Sequence, residues 1–165
     1  MAAIEHNGDI LNTSGNLPDV GVPAPDFILA GTSMERIALG AYVGQRLVLN
    51  IFPSIDTETC AESVRVFNER VTGFYDTTVL CVSAALPFAA KRFCGDEGIE
   101  NVYFASTFRS PEFADDYGVR IFNSNMAGLC ARAVVVINEY GRVVHSELVS
   151  PLNAEPDYNA ALNAL

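Results

Sequence analysis

Cys60 is placed where a cysteine could act as a nucleophile. The apolar run Leu47 to Phe52, broken only by Asn50, reads as a buried strand that Pro53 ends. A short loop follows, and then an amphipathic helix in which Val64, Phe67 and Val71 share the inward face with Cys60. Thr59 and Glu62 have capping-box spacing, which predicts Thr59 as the N-cap and Cys60 as the first helical residue. Unpaired amides and the positive end of a helix dipole favour thiolate over thiol, and the thiolate is the reactive form. Glu62 pulls weakly the other way. The competing reading of Cys60 is a small buried hydrophobe. A second chemical group is Arg132, at the head of the apolar run Ala133 to Ile137. Period-two alternation places it on one strand face with Val134 and Val136. A guanidinium on such a face needs an anionic partner, which could equally be a structural carboxylate.

The elements that carry these residues follow from pattern and punctuation. Residues 1–17 are rich in Asn, Gly and Asp, and His6-Asn7-Gly8-Asp9 reads as the turn of an N-terminal β-hairpin. Strands are expected at Asp26 to Ala30, Glu35 to Leu39, Leu47 to Phe52, Thr77 to Ser83, Val102 to Ser106, Cys130 to Ile137 and Arg142 to Val149. Helices are expected at Cys60 to Thr72, at Pro87 to Cys94 with a stop at Gly95, at Pro111 to Tyr117 closed by Gly118, and at Asp157 to Leu165. Strands alternate with helices and are followed by a hairpin and a helix. That order predicts an α/β chain with a thioredoxin-like fold, a mixed central sheet flanked by helices. Residues 1–17 are read as a hairpin extension of the one domain, 18–165. In such sheets a site forms beyond the C-terminal end of a strand, where Cys60 lies.

Bulk properties narrow the function. The length of 165 residues fits one domain with a full core. A net charge of −10 argues against a nucleic-acid or anionic-membrane surface, and no apolar run is long enough to span a bilayer. Met1 to Asp9 has no Lys or Arg and no apolar block, so the expected setting is the reducing cytoplasm. The four cysteines include no C-x-x-C pair and lie far in sequence from His6 and His145, so no metal site is expected.

Pro53, Thr57 and Cys60 form P-x-x-x-T-x-x-C. Together with Asn50-Ile51-Phe52-Pro53-Ser54, Leu86-Pro87-Phe88-Ala89, Arg92-Phe93-Cys94-Gly95, Ser106-Thr107-Phe108-Arg109 and Ala131-Arg132-Ala133, it resembles the thiol peroxidase branch of the bacterial peroxiredoxins. The matching segments cover most of residues 18–165, in the family's order. The resemblance implies Cys60 as peroxidatic cysteine, Cys94 as resolving cysteine, Thr57 as active-site hydroxyl, Arg132 as active-site arginine and Pro53 as the shield of the thiolate. It also implies an intramolecular disulfide, no cofactor, thioredoxin as reductant, a homodimer, and a preference for alkyl or lipid hydroperoxides.

Physical reasons accompany these roles. A thiolate attacks one peroxide oxygen while the other leaves with negative charge, so donors and a cation around the breaking bond assist. Thr57, three residues before the sulfur, could donate to the thiolate or hold the peroxide. The sulfenic acid then condenses with a second thiol. Cys60 must pack inward to meet peroxide, so the two thiols are expected to lie too far apart in the reduced state, with local unwinding needed to join them. Cys81, mid-strand, reads as core. Cys130 departs from the family pattern; alternation puts it on the Arg132 face, as a buried small residue or, less simply, a spare thiol. Ala85 stands where the family often has Asp. Phe88, Phe93 and Phe108 read as core, or as an apolar pocket mouth. A redox sensor without turnover, a dithiol oxidoreductase and a cysteine hydrolase are the rival readings; the last is weakened because neither histidine lies in a segment near Cys60.

Overall fold

The computed structural model describes residues 1–165. The strongest apolar runs form the middle of a seven-stranded mixed sheet. Its strands are β3 (Ile28–Gly31), β4 (Arg36–Ala38), β5 (Arg46–Ile51), β6 (Thr77–Ser83), β7 (Tyr103–Ser106), β8 (Ala133–Ile137) and β9 (Val143–Leu148), in the order β4-β3-β7-β6-β5-β8-β9. β5, β6 and β7 are parallel, as the helices between them require, and the remaining pairs are antiparallel. Helices α1 (Glu58–Arg70) and α2 (Pro87–Glu97) are the two crossovers. Short helices α3 (Glu112–Asp116) and α4 (Tyr158–Asn163) complete the chain. The N-terminal hairpin forms its own two-stranded sheet, β1 (Ala3–His6) with β2 (Asp9–Asn12). Asn7 and Gly8, both at positive φ (51° and 88°), make its tight turn.

Alternation along the central strands divides the core in two. Leu47, Leu49 and Ile51 of β5, with Ala133, Val135 and Ile137 of β8, pack against α3 and the hairpin residues Ile4 and Leu11. Val48 and Phe52, with Val134 and Val136, pack against α1, α2 and α4 on the other face. Cys60 belongs to this second cluster and has no exposed surface.

Three expectations from the sequence need correction. Helix α2 does not stop at Gly95 but continues to Glu97 and ends at Gly98, which has φ 66°. A glycine can sit within a helix at modest cost, and the left-handed C-terminal position is where it is needed. Arg65 of α1 also holds the last turn of α2, bridging to Glu97 at 2.8 Å. Strand β8 begins at Ala133, so Arg132 and Cys130 precede it, and Cys130 instead bridges to Arg120. Alternation still carries Arg132 to the Cys60 face but fails at Cys130. Cys130 packs with Ile121 and Ala131 in the first cluster, on the opposite face from Cys60 and Val134. Phe88 and Phe108 are not core: they are 64% and 40% exposed, while Phe93 alone of the three is buried, edge-on to Phe104.

Candidate active site

Helix α1 starts earlier than the capping-box pattern predicts. Thr57 is the N-cap, and the first helical bond runs from the amide of Ala61 to the Thr57 carbonyl at 3.0 Å. Cys60 is therefore the third helical residue, still within the turn whose amides have no intrahelical partner. The capping box is absent because both of its side chains are engaged elsewhere. The Thr59 hydroxyl donates to the carbonyl of Asn153 at 3.2 Å, and Glu62 pairs with Arg65 at 3.3 Å. The loop before the helix is shaped by Ser54, whose hydroxyl accepts from the Asp56 amide at 3.2 Å. Ser54 also accepts the Thr57 hydroxyl at its carbonyl, 3.2 Å away. In this state Thr57 thus donates to backbone rather than to sulfur.

The structure brings Arg132 to Cys60. Guanidinium Nη2 lies 3.4 Å from Cys60 Sγ, and Nε donates to the carbonyl of Leu152 at 2.9 Å. Arg132 is 2% exposed, and its Nη1 has no partner. No carboxylate makes an ion pair with it, so the sulfur is the side chain its guanidinium faces. A pocket of about 220 Å³ opens beside the pair, lined by Pro53, Thr57, Arg132, Met126, Leu152 and His6, among others. A larger cavity of about 370 Å³, between Arg46, Tyr75, Glu139 and Leu165, sits at the opposite end of β5 and holds no nucleophile. Chemistry, not size, makes the smaller pocket the candidate site.

A buried polar chain braces the Cys60 turn from below. Asn50, the lone polar residue of β5, donates through Nδ2 to Ser63 Oγ at 3.1 Å. Ser63 in turn donates to the Cys60 carbonyl at 2.7 Å. Asn50 Nδ2 also lies 3.8 Å from Cys81 Sγ. The polar interruption of the strand was visible in the sequence, but its partner thirteen residues on was not.

The other cysteines separate by environment. All four are free thiols. Cys94 lies inside α2, half-buried, and its carbonyl accepts the closing amides of Gly98 and Ile99. Burial pushes its thiol up from the ordinary value. Burial pushes Cys81 and Cys130 up to about 12, with Asn50 and Thr107 as their respective hydrogen-bond partners. Arg92, two residues before Cys94, pairs with Asp56 in the loop leading to α1. Arg65 lies 5.7 Å from the centre of the Phe93 ring as well as bridging to Glu97. The helices carrying Cys60 and Cys94 are thereby clamped at two points. Ala85 gives α2 no side-chain cap; its amide donates to Ser83 Oγ at 3.2 Å.

Sequence separation concealed one neighbour. His6 is remote from the cysteines in sequence, yet the hairpin folds over and places it on the pocket wall. Met126, Leu152 and Asn153 line the pocket without any sequence signal.

Comparison with known proteins agrees with this geometry. A family model described as Redoxin matches residues 19–162. The chain is 53% identical over 165 residues to the thiol peroxidase of Mycobacterium tuberculosis, covering 100% of this chain and 99% of that protein. It is 48% identical over the same length to the thiol peroxidase of Corynebacterium glutamicum, with coverage of 100% and 99%. Among solved structures, a peroxiredoxin-like protein from Aquifex aeolicus superposes with a TM-score of 0.93 at 32% identity, over 99% of this chain and 95% of that one. The thiol peroxidase from Chromobacterium violaceum shares the fold, with a TM-score of 0.90 at 19% identity over 98% and 93% of the two chains. The chain belongs to the redoxin family and, within it, to the thiol peroxidases, peroxiredoxin-type oxidoreductases of thioredoxin-like fold.

Proposed function

We propose that the chain reduces hydrogen peroxide and organic hydroperoxides at Cys60, resolves the product with Cys94, and is recycled by thioredoxin. The observation that carries this reading is the buried guanidinium of Arg132, 3.4 Å from a cysteine in the first turn of a helix. A cation held there with no carboxylate partner suits a sulfur that must bear negative charge. The thiolate attacks the terminal oxygen of the hydroperoxide. The S–O bond forms as the O–O bond breaks, leaving a sulfenic acid and an alkoxide or hydroxide that takes a proton from solvent. Arg132 Nη1 is the free donor available to the leaving oxygen, and Thr57 stands on the same wall. Pro53 limits water there.

Resolution requires Cys94 to reach the sulfenic sulfur, forming the disulfide and releasing water. Burial holds the Cys94 thiol above its ordinary value while α2 is intact. Unwinding around Cys94 both brings it closer and exposes it, which restores ordinary thiol reactivity. The clamps through Arg65 and Arg92 must open in that step. A dithiol of thioredoxin then returns both cysteines to thiols. The exposed residues Leu86, Phe88 and Phe108 lie on segments joined by the Ser106 hydroxyl, which donates to Ala85 O at 2.6 Å, and they offer an apolar face for a homodimer. The reducing cytoplasm suits this thiol chemistry.

A thioredoxin-coupled assay with hydrogen peroxide and cumene hydroperoxide tests the proposal. Wild type turns over both, Cys60→Ser turns over neither, and Cys94→Ser loses thioredoxin-coupled turnover while Cys60 is still oxidised. Turnover by Cys60→Ser would overturn it.

A further inference from the structure

We propose that His6 is a specificity-determining residue that, with Arg132, forms a two-donor seat for the carboxylate released when an acyl hydroperoxide is reduced. This rests on the reading that Cys60 attacks hydroperoxides. Two residues of the pocket wall carry a buried nitrogen with no hydrogen-bond partner, Arg132 Nη1 and His6 Nδ1. The first is a donor by its nature. The second is a donor in one of its tautomers. His6 Nε2 lies 3.3 Å from Asn7 Nδ2; in the tautomer whose Nε2 accepts from that amide, Nδ1 carries the ring proton and donates. Buried donors left empty are unfavourable, and two of them on residues of one pocket wall suit a ligand that brings two acceptors.

The two residues are held in register through a single residue. Leu152 donates its amide to the carbonyl of Glu5 at 2.9 Å, and its carbonyl accepts Arg132 Nε at 2.9 Å. Glu5 immediately precedes His6, and its amide donates to Ser150 Oγ at 3.2 Å. The hairpin strand is therefore tied to the residue that orients the arginine. Hydrogen peroxide leaves hydroxide and an alkyl hydroperoxide leaves alkoxide, each with one acceptor oxygen. A peroxy acid leaves a carboxylate with two. In that reaction the Cys60 thiolate attacks the terminal peroxy oxygen, which keeps its hydrogen. The S–O bond forms, and the O–O electron pair departs with the carboxylate. Cys60 is oxidised to the sulfenic acid and the peroxy acid is reduced to the carboxylate, with no further proton or electron required. Glu58 also lines the pocket and would disfavour retention of that anion, which assists its release.

The test is stopped-flow oxidation of reduced full-length protein by catalase-treated peracetic acid and, separately, by tert-butyl hydroperoxide. Wild type, His6→Leu and His6→Gln are compared. The expected result is that the peracetic acid to tert-butyl hydroperoxide rate ratio falls about tenfold in His6→Leu, the loss of one hydrogen bond to a charged oxygen. His6→Gln, which keeps an N–H donor, should recover most of that ratio. An unchanged ratio in His6→Leu, or an equal fall in His6→Gln, would overturn the proposal. Oxidation by tert-butyl hydroperoxide reports an intact Cys60 site in every variant. If wild type itself fails that control, the peroxidase reading is what fails.

Discussion

Removing the positive charge of Arg132 should slow peroxide attack on Cys60 by about 100-fold or more. At 3.4 Å and an effective dielectric constant of 20, a unit cation and a thiolate attract by about 5 kcal/mol. Part of that attraction acts on the resting thiolate as well as on the transition state, so the rate does not lose all of it. What is lost in full is the free Nη1 donor facing the leaving oxygen, and one such donor is worth about 10²–10³ in rate. Arg132→Gln removes the charge and should fall in that range. Arg132→Lys keeps a point charge but cannot reach Leu152 O, Cys60 Sγ and substrate together, so roughly a tenfold loss is expected. Either variant risks leaving the Leu152 carbonyl without its partner, about 1–3 kcal/mol of stability, which a thermal melt measures separately. The assay is stopped-flow oxidation of reduced protein at several peroxide concentrations, giving the second-order rate constant. A folded Arg132→Gln protein reacting within about threefold of wild type would refute the reasoning.

Other parts of the structure give further expectations. Ser63→Ala removes the donor to the Cys60 carbonyl and strands the Asn50 amide, costing roughly 1–2 kcal/mol of stability. Loosening that turn should speed disulfide formation several-fold, read as a lower yield of overoxidised Cys60 by mass spectrometry at high peroxide. Burial raises the Cys94 thiol above its ordinary value of 9.0, so its thiolate fraction grows only at alkaline pH. In Cys60→Ser, iodoacetamide labelling of Cys94 should therefore keep accelerating past pH 9.0; a plateau below that value would contradict it. Cys81 and Cys130 rise from 9.0 to about 12 on folding, so the native state favours their neutral forms. That contribution is complete below pH 9.0 and is lost as pH climbs toward 12, by roughly 3 kcal/mol per thiol at pH 11. Urea melts across this range should show the fall, and Cys81→Ala should make it shallower.

Much of the site could be read from the chain because its parts are local. The strand, loop and helix around Cys60 are consecutive, and their apolar spacing and Pro53 mark them directly. The Arg132 face was legible too, since alternation with Val134 and Val136 holds in the structure. The same alternation misplaced Cys130, because the regular strand starts only at Ala133 and the backbone turns before it. The capping box misled for a related reason. Its spacing is local, but Thr59 found a better partner in Asn153, 94 residues away. Gly95 reads as a stop in the sequence because two glycines lie three residues apart, and only Gly98 takes a left-handed φ. His6, Met126 and Leu152 reach the pocket through tertiary packing of separate loops and the hairpin, for which no periodic signal exists.

Peptide mapping of the reduced protein after one equivalent of hydrogen peroxide tests the central claim most directly. The account predicts oxidation at Cys60 alone, recovered as a Cys60–Cys94 disulfide in wild type and as a Cys60 sulfenic acid adduct in Cys94→Ser. Oxidation appearing first at Cys81, Cys94 or Cys130, with Cys60 still a free thiol, would contradict it.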